Sequence, residues 1–283
     1  MENPKHYEAQ AETAADDHEV PPPPYQNTDY STNNYPPSEP APSYHDGESS
    51  AAAGPISGVN SKFPPALNAY YKWGFTKTFY LGETKDTPRL AGRWHSRLSK
   101  KPELELFDGP DDKGALLATA HHGSISKSAT TLTIPAREGV PHDTESQQVT
   151  MSCPKLLKSK TYAFAADVGV GKETRREEFE WRPSHGSEVR EVGGLRWGWK
   201  LVRLSESVGG GGDRATRELG STSDGLEVVA AWAHNSSASM TKAFKFQLMG
   251  ASLTGMLGER GAAVALISAL WIWTIEVATS SAA

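Results

Sequence analysis

Residues 258–278 read GERGAAVALISALWIWTIEVA, and what this stretch is decides the fold. From Gly261 to Ile275 no side chain is charged, and Glu276 closes the run. A helix that is apolar on every face lies either in lipid or at the centre of a protein. Spanning a bilayer takes about 20 residues, and runs of about 10–14 are more often core helices. This run has fifteen residues, nearer the core case. Glu259 and Arg260 before it, and the lack of a basic cluster after it, are poor flanks for an anchor. Trp271 and Trp273 stand at one end, as interfacial anchors do. Two readings stay open: a buried central helix and a C-terminal membrane tail.

The preceding residues supply what a central helix needs around it. TYAFAADV (161–168) puts Tyr162, Phe164, Ala166 and Val168 on one face of a strand. EEFEWR (177–182) sets Phe179 and Trp181 against Glu178, Glu180 and Arg182. WGFTKTFYL (73–81), ELELF (103–107), ALLATA (115–120), TLTI (131–134), WGWKLVRL (197–204), EVVAAWA (227–233) and KAFKFQLMG (242–250) repeat the pattern. Period-2 alternation broken by Gly, Pro, Asp and Ser turns predicts a long antiparallel sheet of about ten strands. Such sheets usually close as sandwiches or barrels. GGGG (209–212) lies in a turn-rich hairpin insertion, with no strand-then-helix signal around it.

Residues 1–61 are different. PPPPY (21–25), NYPPSEPAPSY (34–44) and AAAGPISG (51–58) carry almost no large aliphatic side chains. Such a segment cannot offset its ordering entropy, which predicts a disordered arm. The N-terminus has no basic start followed by an apolar run, so no secretory signal is expected. Within residues 1–60, Lys5 stands against ten Asp and Glu, a charge of −9. The chain's −5 therefore leaves +4 for the remainder. A mildly basic body suits anionic partners such as phospholipid head groups. Cys153 is the one cysteine, so no internal disulfide forms, consistent with a reducing, cytoplasmic setting.

FYLGETKDTP (79–88), EFEWRPSHG (178–186), GWKLVRL (198–204), MTKAFKFQLMG (240–250) and GERGAAVALISALWIW (258–273) resemble a fungal family placed in the tubby C-terminal-like superfamily. Tubby-like, LURP-one-related and phospholipid scramblase proteins share that fold. The resemblance covers roughly residues 70–275. It implies an antiparallel β-barrel of about twelve strands around a buried hydrophobic C-terminal helix. The expected organisation is an arm over 1–61, a barrel domain over 62–278 with its helix over about 258–277, and a tail over 279–283. The resemblance implies no activity, only a class of partner, since tubby domains bind phosphoinositides.

Catalytic signatures are missing. Cys153 has no recognisable base. Adjacent His121 and His122 point to opposite faces of a strand and cannot chelate together. His185 reads as a turn residue. GVGKET (169–174) has Glu173 where a phosphate loop needs Ser or Thr, so it reads as a turn. DGPDDKG (108–114) lacks the ligand spacing of a calcium loop. No enzyme, no cofactor, no metal and no nucleic-acid partner is expected.

Two kinds of binding remain. Lys155, Lys158 and Lys160, with Lys172, Arg175 and Arg176, are the candidate contacts for anionic lipid at a membrane surface. If residues 161–168 and 177–182 form a hairpin, these two groups lie at opposite ends of its first strand. Lys242 and Lys245 could contribute from another strand. Separately, Pro22, Pro23 and Tyr25 fit the Pro-Pro-X-Tyr ligand of WW domains, where preset PPII geometry lowers the ordering cost. The third reading is the tail-anchored protein of the opening question.

Overall fold

The computed structural model describes residues 62–71, 77–123, 129–137, 143–153, 160–193, 195–212, 220–235 and 242–280. Twelve strands follow one another: β1 (Ala66–Tyr71), β2 (Thr78–Gly82), β3 (Pro88–Trp94), β4 (Leu104–Asp108), β5 (Ala115–His122), β6 (Ala129–Ile134), β7 (Gln147–Ser152), β8 (Tyr162–Val168), β9 (Arg175–Ser184), β10 (Gly198–Ser207), β11 (Leu226–His234) and β12 (Lys242–Leu248). A short helix α1 (Ser187–Glu191) precedes β10, and α2 (Gly258–Ser280) follows all the strands. Each strand pairs antiparallel with its chain neighbours, and β1 pairs with β12 through Leu67 opposite Phe246. The sheet is therefore a closed up-and-down barrel, which leaves no free edge.

Side chains alternate between lumen and exterior. On β8, Tyr162, Phe164, Ala166 and Val168 are buried, and on β9 so are Phe179 and Trp181. α2 fills the lumen, with every residue from Gly261 to Trp273 buried. By length and composition Gly258–Thr279 could cross a membrane, yet 72% of its most apolar window is enclosed here. The expected central helix is thus present and runs three residues beyond its expected end.

α2 packs most closely on β5, β6 and β8. Those walls carry the small residues Ala118, Ala120 and Ala166, and the helix carries Ala262, Ala265 and Ala269, all buried. Small residues let the backbones approach. Elsewhere aromatic rings take up the space. Trp273 lies 5.4 Å from Phe244, 6.0 Å from Tyr71 and 6.1 Å from both Phe79 and Trp94. Gly92 makes this possible, because a Cβ there would sit 2.1 Å from the Phe79 ring. A buried hydrogen bond fixes the helix rotation, the Trp181 indole N–H donating to Ser268 Oγ at 2.9 Å.

Strand direction defines two barrel ends. At the lower end α2 begins, β8 turns into β9 and β10 into β11. At the upper end α2 finishes, β3 turns into β4 and β9 passes through α1 into β10.

Candidate functional site

The two ends are built from different chemistry. At the lower end, arginines are held by carboxylates. Arg203 stands opposite Phe179 across β9 and β10, and Glu177, two residues before Phe179 on the same face, is its diagonal neighbour. Arg203 Nη2 donates to Glu177 Oε1 at 2.7 Å, and its Nε donates to Oε2. Glu227 of β11 accepts from the Ala251 backbone N–H at 2.6 Å. Burial pushes the Glu177 carboxyl up, but Arg203 and then Arg175 outweigh it, holding the group below the ordinary glutamate range. The start of α2 is clamped too. Arg137 pairs with Asp143 and Glu259, and Arg260 reaches Asp143 at 2.7 Å and the Glu145 carbonyl at 2.7 Å.

The basic residues singled out from sequence fall on both ends. Lys160 precedes β8 at the upper end and is half-buried. Lys172, in the 3-10 turn Gly171–Glu173, and exposed Arg175 and Arg176 lie at the lower end. Seven residues of β8 separate the groups, about 20 Å at strand rise. Arg175 is paired with buried Glu177 at 2.5 Å and Arg176 with Asp167 at 3.3 Å. They do not form one patch with Lys160. Lys245 donates to the Gly193 carbonyl on the outer wall. Lys155, Lys158, Pro22, Pro23 and Tyr25 lie outside the described residues. Cys153 is buried. No group of three or more His, Cys, Asp or Glu able to hold a metal ion occurs among the described residues.

The upper end carries a surface that these residues did not point to. Between β3 and β4, Ser99 N–H donates to the Ser96 carbonyl at 2.8 Å, closing a tight turn. Ser96 Oγ and Ser99 Oγ accept from the Leu98 and Lys101 backbone N–H groups. Leu98 stands at the tip, 97% exposed, with exposed Arg97, Lys100 and Lys101 around it. Leu195, Trp197 and Val277 are exposed at the same end, and Arg196 lies between the first two. The lower end has apolar tips as well, Val170 and Leu253 among them. Charge separates the two. Among described residues, the upper-end connections and the finish of α2 carry seven Lys or Arg against four Asp or Glu. The lower-end connections and the start of α2 carry five against nine.

Of the four upper carboxylates, three are engaged locally. Glu188 pairs with Lys200 at 3.0 Å under α1. Glu103 meets His122 Nδ1 at 2.6 Å. Glu276, on the last turns of α2, accepts from Trp199 Nε1 at 3.1 Å and contacts His234 Nε2 at 3.2 Å. The upper end therefore presents cations and apolar tips outward while three of its four acids are held by local partners. A readable signal existed in HSRLSKKPE (95–103), a lone leucine among cations in a Ser- and Pro-flanked loop.

Comparison with protein-family models, with curated proteins and with solved structures returned no match.

Proposed function

We propose that this protein is a non-enzymatic, peripheral reader of anionic phospholipid surfaces, docking through the upper end of its barrel. The observation that carries the reading is the Leu98 turn, a leucine held outward on a hydrogen-bonded tip among Arg97, Lys100 and Lys101. Burying a leucine side chain is worth about 1.5–3 kcal/mol. Each Lys or Arg near an anionic leaflet adds about 1 kcal/mol. Trp197 suits the headgroup level, where indoles prefer to sit. The acid-rich lower end would face away, repelled by the same lipids. The resemblance to the tubby-like superfamily supports the same class of partner, and a cytoplasmic location suits it.

The test is co-sedimentation of the full chain with phosphatidylcholine vesicles, with and without phosphatidylserine or a phosphoinositide. Salt-sensitive binding to the anionic vesicles alone is expected. Leu98→Asp and the Lys100→Glu, Lys101→Glu pair should abolish it, while Lys172→Glu should not. Equal binding by the Leu98→Asp protein sinks the proposal.

The arm favours a second, compatible reading. Pro22, Pro23 and Tyr25 make it a WW-domain ligand, so that the protein also acts as an adaptor. An arm peptide should bind WW domains, and Tyr25→Ala should remove that binding.

A further inference from the structure

Among the contacts that hold the Leu98 turn, one has a chemistry that depends on a proton. Arg97 Nη2 lies 2.8 Å from His122 Nε2. A guanidinium has donors and no acceptor, so this bond forms only if Nε2 carries a lone pair. The other ring nitrogen, Nδ1, is 2.6 Å from Glu103 Oε2, a carboxylate that only accepts. Both contacts are satisfied together by one species, the neutral ring with its proton on Nδ1. The ring is held in place by Trp271 of α2, edge to face at 4.8 Å. Across the sheet β6 contributes the uncharged Thr130. Glu276, further along α2, is turned toward Trp199 and His234 instead. Neighbouring His95 is occupied by Glu105 at 2.7 Å. Among the described residues, Glu103 and Arg97 are the charged groups at hydrogen-bond distance from the His122 ring.

We propose that protonation of His122 releases Arg97 and raises the positive charge around the exposed Leu98 tip, strengthening membrane contact. The inference rests on the membrane reading above for its purpose, though not for its chemistry. When Nε2 takes a proton from water, two N–H groups face each other and the Arg97 contact is lost. The Nδ1–H bond to Glu103 persists, now as a charged pair. Arg97, on an exposed turn, swings to solvent. The upper rim gains one charge from the imidazolium and recovers a mobile guanidinium beside Leu98. Docking therefore strengthens on acidification.

The test uses the full chain, with two readouts. Ring 15N shifts of His122 at about pH 7.5 should show a proton on Nδ1 and none on Nε2, and amide exchange over 96–101 should quicken toward about pH 5.5 beyond the intrinsic pH effect. Binding to phosphatidylserine vesicles should rise about fivefold over the same interval, the effect of one added cation at the surface. His122→Gln, which can donate to Glu103 or accept from Arg97 without titrating, should flatten the exchange change. Arg97→Gln, at an exposed position of the turn, should leave the turn loose at both pH values. A ring protonated on Nε2 at neutral pH, or pH-independent exchange in the unmodified chain, overturns the latch whatever the vesicles do. Absence of vesicle binding at either pH, with the ring and exchange signatures intact, overturns the membrane reading and leaves the latch standing.

Discussion

Single residues settle the buried polar chemistry of this barrel. Ser268 is the one serine in the run from Gly261 to Ile275. Its role as an acceptor was not legible there, because Trp181 lies 87 positions away and nothing local announces the pair. Ser268→Ala leaves the Trp181 N–H buried without an acceptor and should destabilise by about 1–3 kcal/mol, read from denaturant midpoints. Glu177 and Arg203 make a sharper case, since both project from strand positions that elsewhere carry Phe179 and Leu201. Arg203→Met strips the buried carboxylate of its main partner and should cost about 3–5 kcal/mol. The pH dependence follows from the depressed Glu177 value. Its contribution is complete above the unfolded glutamate pKa, about 4.3, and is lost as pH falls through the lower folded value. The unmodified protein should therefore lose stability on acidification below that range, and Arg203→Met should flatten that limb. A midpoint in Arg203→Met as acid-sensitive as in the unmodified chain contradicts the assignment.

At the scale of elements, legibility followed alternation. β8 and β9 were plain because large apolar residues recur at every second position. β3 was not picked out, since it reads PRLAGRW and holds a proline and a glycine. Its glycine is a packing requirement, as Phe79 occupies the space over it. β7, QQVTMS, hides for another reason: Val149 and Met151 are buried, but their neighbours are polar on both sides. The helical run was clear at once, though its burial followed only from the strands around it. α2 is also the element on which the others depend. Trp273→Ala should cost about 3–5 kcal/mol, because several rings meet on that indole and cannot close the gap. Deleting residues 256–283 should leave a chain without cooperative unfolding by calorimetry. A folded, soluble product of that deletion would mean the helix is an appendage.

For the whole molecule, the barrel is a charge-separated body, acidic where α2 begins and basic where it ends. Net charge alone concealed this, because the acidic arm dominates the sum. Sequence position concealed it too, since lysines close in the chain, Lys160 and Lys172, sit at opposite ends of one strand. The rim around Leu98 draws on loops far apart in sequence, which only the closed meander brings to one end. Vesicle binding should weaken between low and high salt, as surface electrostatics are screened. The Lys100→Glu, Lys101→Glu protein should lose that salt dependence along with its affinity. Salt-insensitive binding of the unmodified chain would point to an apolar contact without a charged partner surface.

The order of synthesis follows from the place of α2. All twelve strands leave the ribosome before the helix that fills their lumen. Until then the nascent sheet has neither its filler nor, before β12, a partner for β1. Loose strand edges and an open apolar face are the conditions under which chains aggregate. The barrel must therefore mature after most of it has been made, by closing around its own last segment. Its folding rate should track the appearance of α2 rather than of any hairpin.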